Sequence, residues 1–107
     1  MGEPSDNPNA EKVLTTNQLK HAIARDFGTP AVVIDLDIVE RNILRVQKLC
    51  EDAGVANRPH IKTHKIPALA KMQIKAGARG ITCQKLGEAE VMADAGVDDI
   101  IISYNLI

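Results

Sequence analysis

The chain has 107 residues, a formal net charge of −1, 45% hydrophobic and 25% charged residues, and 2% aromatics. This is ordinary globular composition, at the size of one small domain or part of a larger one. It excludes a strongly basic nucleic-acid surface and a base-stacking platform, and no apolar run reaches membrane-spanning length.

Residues 1–12 are polar, with Pro4 and Pro8, and read as a disordered tail ahead of a domain over 13–107. Thr15 or Thr16 can cap a helix carrying Leu19, Ile23 and Phe27 at helical spacing, closed by Gly28. After Pro30, the β-branched run around Ala31–Asp35 predicts a buried strand. Asp37 is a suitable N-cap for the next helix, whose apolar stripe is Val39, Ile43, Val46, Cys50 and Ala53, stopped by Gly54. A basic strand over 58–62 follows. Pro67 opens a helix that Gly77 closes. A strand over 80–84, a helix over Glu88–Ala95 ended by Gly96, and a strand over 99–103 complete the pattern.

Strands alternating with glycine-closed helices mean an α/β fold with parallel strands. Units of about 20 to 25 residues suit the front portion of an eightfold (β/α)8 TIM-type barrel. Four strands cannot close a barrel, and the chain ends at Leu106-Ile107, just past a strand. The expectation is an N-terminal portion of a longer enzyme, poorly soluble and inactive on its own. Cys50 and Cys83 sit in apolar patterns and read as reduced thiols of a cytoplasmic protein.

The stretch Arg58-Pro59-His60-Ile61-Lys62-Thr63-His64-Lys65 is the chemically distinctive one. On a strand, Arg58, His60, Lys62 and His64 share one face. Such a row is either a solvated face or a site for an anionic ligand at the strand's carboxyl end, where parallel α/β folds place their sites. A lysine among cations is favoured as a neutral amine, and a neutral amine can form a Schiff base with a carbonyl. Lys65, three residues on, is the competing amine but falls beyond the strand. His60 and His64 could in principle share a metal, yet no carboxylate or thiol lies near them in sequence, and no metal ligand set is assigned. Gln84, ending the third strand, would stand at the same mouth or serve as a plain strand-end polar residue. No glycine-rich nucleotide loop is present.

Three segments together resemble one family. They are Thr29-Pro30 with Ile34-Asp35-Leu36-Asp37, the basic stretch 58–65, and Gly80-Ile81-Thr82-Cys83-Gln84-Lys85 with Glu88-Ala89. They resemble the N-terminal part of the fold-type III pyridoxal-phosphate enzymes of the D-threonine aldolase and D-serine dehydratase group, related to the alanine racemase N-terminal domain. The resemblance implies that Lys62 is the Schiff-base lysine in the mouth of a barrel. It implies Arg58, His60 and Gln84 as cofactor-binding residues, and a homodimer completed by a second domain. It also implies a divalent ion (Mn, Mg or Zn) held by a C-terminal region. The implied function is a lyase acting on 3-hydroxy-D-amino acids. Cys83-Gln84-Lys85 leans toward D-threonine aldolase-type Cα–Cβ cleavage, while Ser103-Tyr104-Asn105 is nearer the D-serine dehydratase-type β-elimination. A pyridoxal-phosphate carrier without turnover is the remaining alternative.

Overall fold

The computed structural model describes residues 13–106; the tail expected over 1–12 and the terminal Ile107 lie outside the described residues. The chain forms two compact units, one ending at Ile34 and the other beginning at Asp35.

The first unit contains helix α1, Thr16–Phe27. Thr15 caps it: the Gln18 N–H donates to the Thr15 hydroxyl at 3.2 Å, and the Thr15 N–H donates to the Gln18 side chain at 2.9 Å. Gly28 takes a positive φ of 81° just beyond. The run Ala31–Ile34 is not a strand. No ladder partner meets it among the described residues, and Val32 is 94% exposed. β-branched residues favour extended backbone, yet a strand also needs a neighbour to accept its hydrogen bonds.

The second unit runs α2 (Leu36–Asp52), a 3-10 turn (Ile61–Thr63), α3 (Pro67–Lys75), β1 (Ile81–Cys83), α4 (Leu86–Asp94) and β2 (Ile100–Ile102). The N-cap of α2 is Asp35 rather than Asp37: its carboxylate accepts from the N–H groups of Asp37 and Ile38 at 3.0 and 3.2 Å. An Asp at the cap reaches N–H groups that an Asp two residues inside cannot. The most buried residue of α2 is Gln47, which donates to Glu51 at 2.9 Å and accepts from Asn57 at 3.2 Å. A Cβ at Gly77 (φ 123°) would stand 2.8 Å from the Gln47 amide, so a side chain there would displace this polar joint.

The strands are parallel, with Ile81 opposite Ile100 and Cys83 opposite Ile102. The segment before the 3-10 turn lies along the other side of β1: the Arg79 N–H donates to the Asn57 carbonyl at 2.9 Å, and the Thr82 N–H to the Pro59 carbonyl at 2.8 Å. The strand expected over 58–62 is thus reduced to one parallel bridge, His60 to Thr82. Its chain turns away at Ile61 because the His60 ring accepts the Lys62 N–H at 3.2 Å and caps a 3-10 turn instead.

Ile61, Ala70, Ile81, Cys83, Ala89, Met92 and Val97 form the core, with Ile74, Ile100 and Ile102 packed against it. Ile61 is wholly buried, which is worth about 1.5–3 kcal/mol. That burial fixes the residue immediately before Lys62.

Candidate active site

Two turns meet at the carboxyl ends of the parallel strands. One runs from His60 to Ile66, the other from Gln84 to Glu88.

In the first turn, the buried Ile61 acts as the pivot. Its carbonyl accepts the N–H groups of His64 at 3.1 Å and Lys65 at 2.7 Å. Alternation ends at His60, so Arg58, His60, Lys62 and His64 do not share the single face expected of a strand. Each meets different surroundings. The His60 Nδ1 is committed to the Lys62 N–H, which places the proton of the neutral ring on Nε2. The His64 Nδ1 accepts the Ile66 N–H at 2.9 Å, leaving its Nε2–H to donate to the Gln73 side-chain oxygen at 3.2 Å. His64 thereby secures the entry to α3, where Pro67 occupies the first turn. Lys62 lies on the exposed side, and no carboxylate is paired with it among the described residues.

Lys65 is held differently. It adopts φ 55°, a left-handed conformation uncommon for a residue with a Cβ. Its ammonium lies 3.3 Å from Glu88. The Glu88 side chain is only 9% exposed, and its other oxygen accepts the N–H groups of Gln84 at 2.9 Å and Lys85 at 3.4 Å. The Gln84 N–H first, then Lys65 and the Lys85 N–H, hold the Glu88 carboxyl below the ordinary glutamate range, overcoming the opposing effect of burial. Glu88 is the site residue that the sequence reading passed over. Its signal was present: an acid at the third position of a helix can reach back to the N–H groups that precede the helix.

Arg58 stands at the opposite end. Its guanidinium donates to the Asp99 carboxylate at 2.6 Å, just before β2 begins, and Arg79 approaches the same carboxylate at 4.0 Å. That hydrogen bond, more than the charges alone, raises Arg58 and lowers Asp99 from their ordinary values. A Cβ on Gly80 would fall onto the Asp99 carbonyl and the Arg58 guanidinium, so glycine is what allows this close crossing. Of the four residues singled out in the sequence, Lys62, His60 and Gln84 lie toward the carboxyl ends, and Arg58 is engaged at the amino ends.

Cys83 is wholly buried beneath this site. Burial, and next the charge of Glu88, push its thiol up, which favours the protonated form. Among the described residues no group of three or more His, Cys, Asp or Glu side chains is placed to hold a metal ion, and no helix is long and apolar enough to cross a membrane.

Comparison with known proteins matches this geometry to one family. The family model for the alanine racemase N-terminal domain covers residues 34–106. The chain is 44% identical to D-threonine aldolase of Arthrobacter sp over 79 residues, 74% of this chain and 21% of the relative. It is 47% identical to D-threo-3-hydroxyaspartate dehydratase of Delftia sp. (strain HT23) over 80 residues, 75% of this chain and 21% of the relative. The crystal structure of D-threonine aldolase from Filomicrobium marinum superposes with a TM-score of 0.72 at 46% identity, covering 74% of this chain and 21% of that one. The chain therefore spans about a fifth of the length of the curated relatives it matches. By the match over residues 34–106, it belongs to the alanine racemase N-terminal domain family.

Proposed function

We propose that the protein carrying this chain is a pyridoxal-phosphate-dependent lyase that cleaves the Cα–Cβ bond of 3-hydroxy-D-amino acids, with Lys62 holding the cofactor. The observation that supports it most is the contrast among neighbouring cations. Arg58 and Lys65 are both paired with carboxylates, while Lys62, between them, is exposed and unpaired among the described residues. An amine free of a carboxylate needs no ion pair broken before it attacks an aldehyde.

The residues present fit the aldehyde end of pyridoxal phosphate. The amine is open at the carboxyl ends of parallel strands, where this class of fold collects its sites. The N–H groups of Gln84 and Lys85 are not open to the phosphate, because Glu88 already takes them. The phosphate would be held by other residues. When bound, the cofactor supplies an electron sink for charge developing on the substrate. In this chain, Ile61 fixes where Lys62 stands, and the His60 ring braces the Lys62 backbone. Gln84, half-buried at the same end, is available to orient the ligand. Arg58 reaches the ligand only if it leaves Asp99, so its part in this reading is to fix the amino end.

The further parts of the reading are a homodimer, a cytoplasmic location that the two free cysteines support, and a divalent ion (Mn, Mg or Zn) bound by other residues of the protein. A β-elimination is the second reading, favoured by the similarity to the Delftia dehydratase. The test is to supply the intact protein with pyridoxal phosphate and a divalent ion and follow two substrates. Acetaldehyde and glycine released from D-threonine are expected. Ammonia and a 2-oxo acid from D-threo-3-hydroxyaspartate, with no aldehyde from D-threonine, would replace cleavage by elimination.

A further inference from the structure

We propose that Glu88 is the positioning residue of the Lys62 amine. It joins the turn after Lys62 to the turn after β1 and so fixes the height of that amine above the strand ends. The inference rests on the reading of Lys62 as the cofactor lysine and deepens it.

After Ile61 the chain makes a single 3-10 turn and then enters the left-handed region at Lys65. A residue with a Cβ holds that conformation only where its surroundings enforce it. On the His60 side the turn is enforced by the parallel bridge to Thr82 and by the buried Ile61. On the Lys65 side the His64 ring ties the turn to α3, through the Ile66 N–H and Gln73, and the Lys65 ammonium, 3.3 Å from Glu88, ties it to the turn after β1. The Glu88 side chain, 9% exposed, cannot drift to follow Lys65, because its second oxygen is bound to the Gln84 and Lys85 N–H groups. Lys62 therefore lies on a short turn anchored at one end by core packing and at the other by His64 on α3 and the Glu88 carboxylate, which alone of these joins it to the turn after β1. The same pairing occupies Lys65 and leaves Lys62 the unpaired amine of the motif.

Charge alone and position make different predictions. Lys65→Met removes a cation from the neighbourhood of Lys62, and Glu88→Gln removes an anion. Acting only through space, these two changes would affect the amine in opposite directions. Acting through the shared tie, both free the same turn and slow the same reaction. Glu88→Gln keeps a neutral acceptor for the two N–H groups, and Lys65→Met leaves Glu88 in place, so neither removes the α4 cap or a core residue.

The experiment uses the intact protein and pyridoxal phosphate as the probe, with capture followed by absorbance. Hydrogen exchange of the 61–66 segment is followed in parallel without the probe. Glu88→Gln and Lys65→Met should each slow capture by roughly tenfold, the scale of a small misplacement of a reacting group. The double variant should be no slower than either single variant, because both cut one tie. Lys65→Arg should restore the wild-type rate. Exchange in 61–66 should quicken in both single variants and not in Lys65→Arg. Opposite effects of the two single variants on the pH midpoint of capture, or unchanged exchange in 61–66, would overturn the proposal. A wild-type protein that captures the cofactor on a different lysine would overturn the reading of Lys62 instead, and the exchange measurement would still decide whether Glu88 fixes the turn.

Discussion

The two ends of the parallel strands treat the same basic motif in opposite ways. At the amino ends, Arg58 is folded over Gly80 and bound to Asp99, with Arg79 close by. There Arg58 is committed to Asp99, while Arg79 stays largely exposed at the edge of the pair. At the carboxyl ends, four residues further on, Lys62 is exposed without a carboxylate among the described residues, while Lys65 is drawn aside by Glu88. A cation's role is set by which strand end it reaches, not by membership of a basic run.

The largest expected effect breaks the comparison at its reactive end. Lys62→Ala should abolish the yellow absorbance of lysine-bound pyridoxal phosphate together with turnover, leaving the fold intact, whereas Lys65→Ala should retain the attachment. Next comes the pivot beneath Lys62. Ile61 is wholly buried, so Ile61→Ala should cost about 2–5 kcal/mol in a denaturant melt of the intact protein.

The amino end offers a smaller, pH-dependent effect. The folded Asp99 carboxyl is lowered by the Arg58 hydrogen bond, so it binds its proton less readily folded than unfolded. The pair's contribution is therefore fully present above the ordinary aspartate range and is lost as pH falls through the lowered value. Asp99→Asn should be less stable than wild type at neutral pH, the gap should close in acid, and cofactor capture should be unchanged throughout. A gap that persists in strong acid would assign the loss to packing. The smallest effect concerns Cys83: buried and held protonated, it should resist iodoacetamide at neutral pH until the protein unfolds, while the half-buried Cys50 reacts sooner.

Much of this was legible in the residues. Periodicity located α1 and α2, Pro67 marked the start of α3, apolar runs located β1 and β2, and their alternation with helices gave the parallel relation. What failed has a common cause. Ala31–Asp35 and Arg58–Lys62 both carry residues suited to extended chain, but strand formation depends on a neighbour that local sequence does not specify. At His60 a side chain supplied the competing hydrogen bond, turning a strand into a 3-10 turn. The paired state of Arg58 was hidden because its partner Asp99 lies 41 residues away. Glu88 was within reach of local reasoning, through its spacing from Lys85; its contact with Lys65 was not.

The central claim, that the amine at the carboxyl end is the reactive one, has a direct test. The intact protein is loaded with pyridoxal phosphate, reduced with borohydride, digested and mapped. The account predicts a single pyridoxyl label within this chain, on Lys62. A label on Lys65, or on no lysine of this chain, would contradict it.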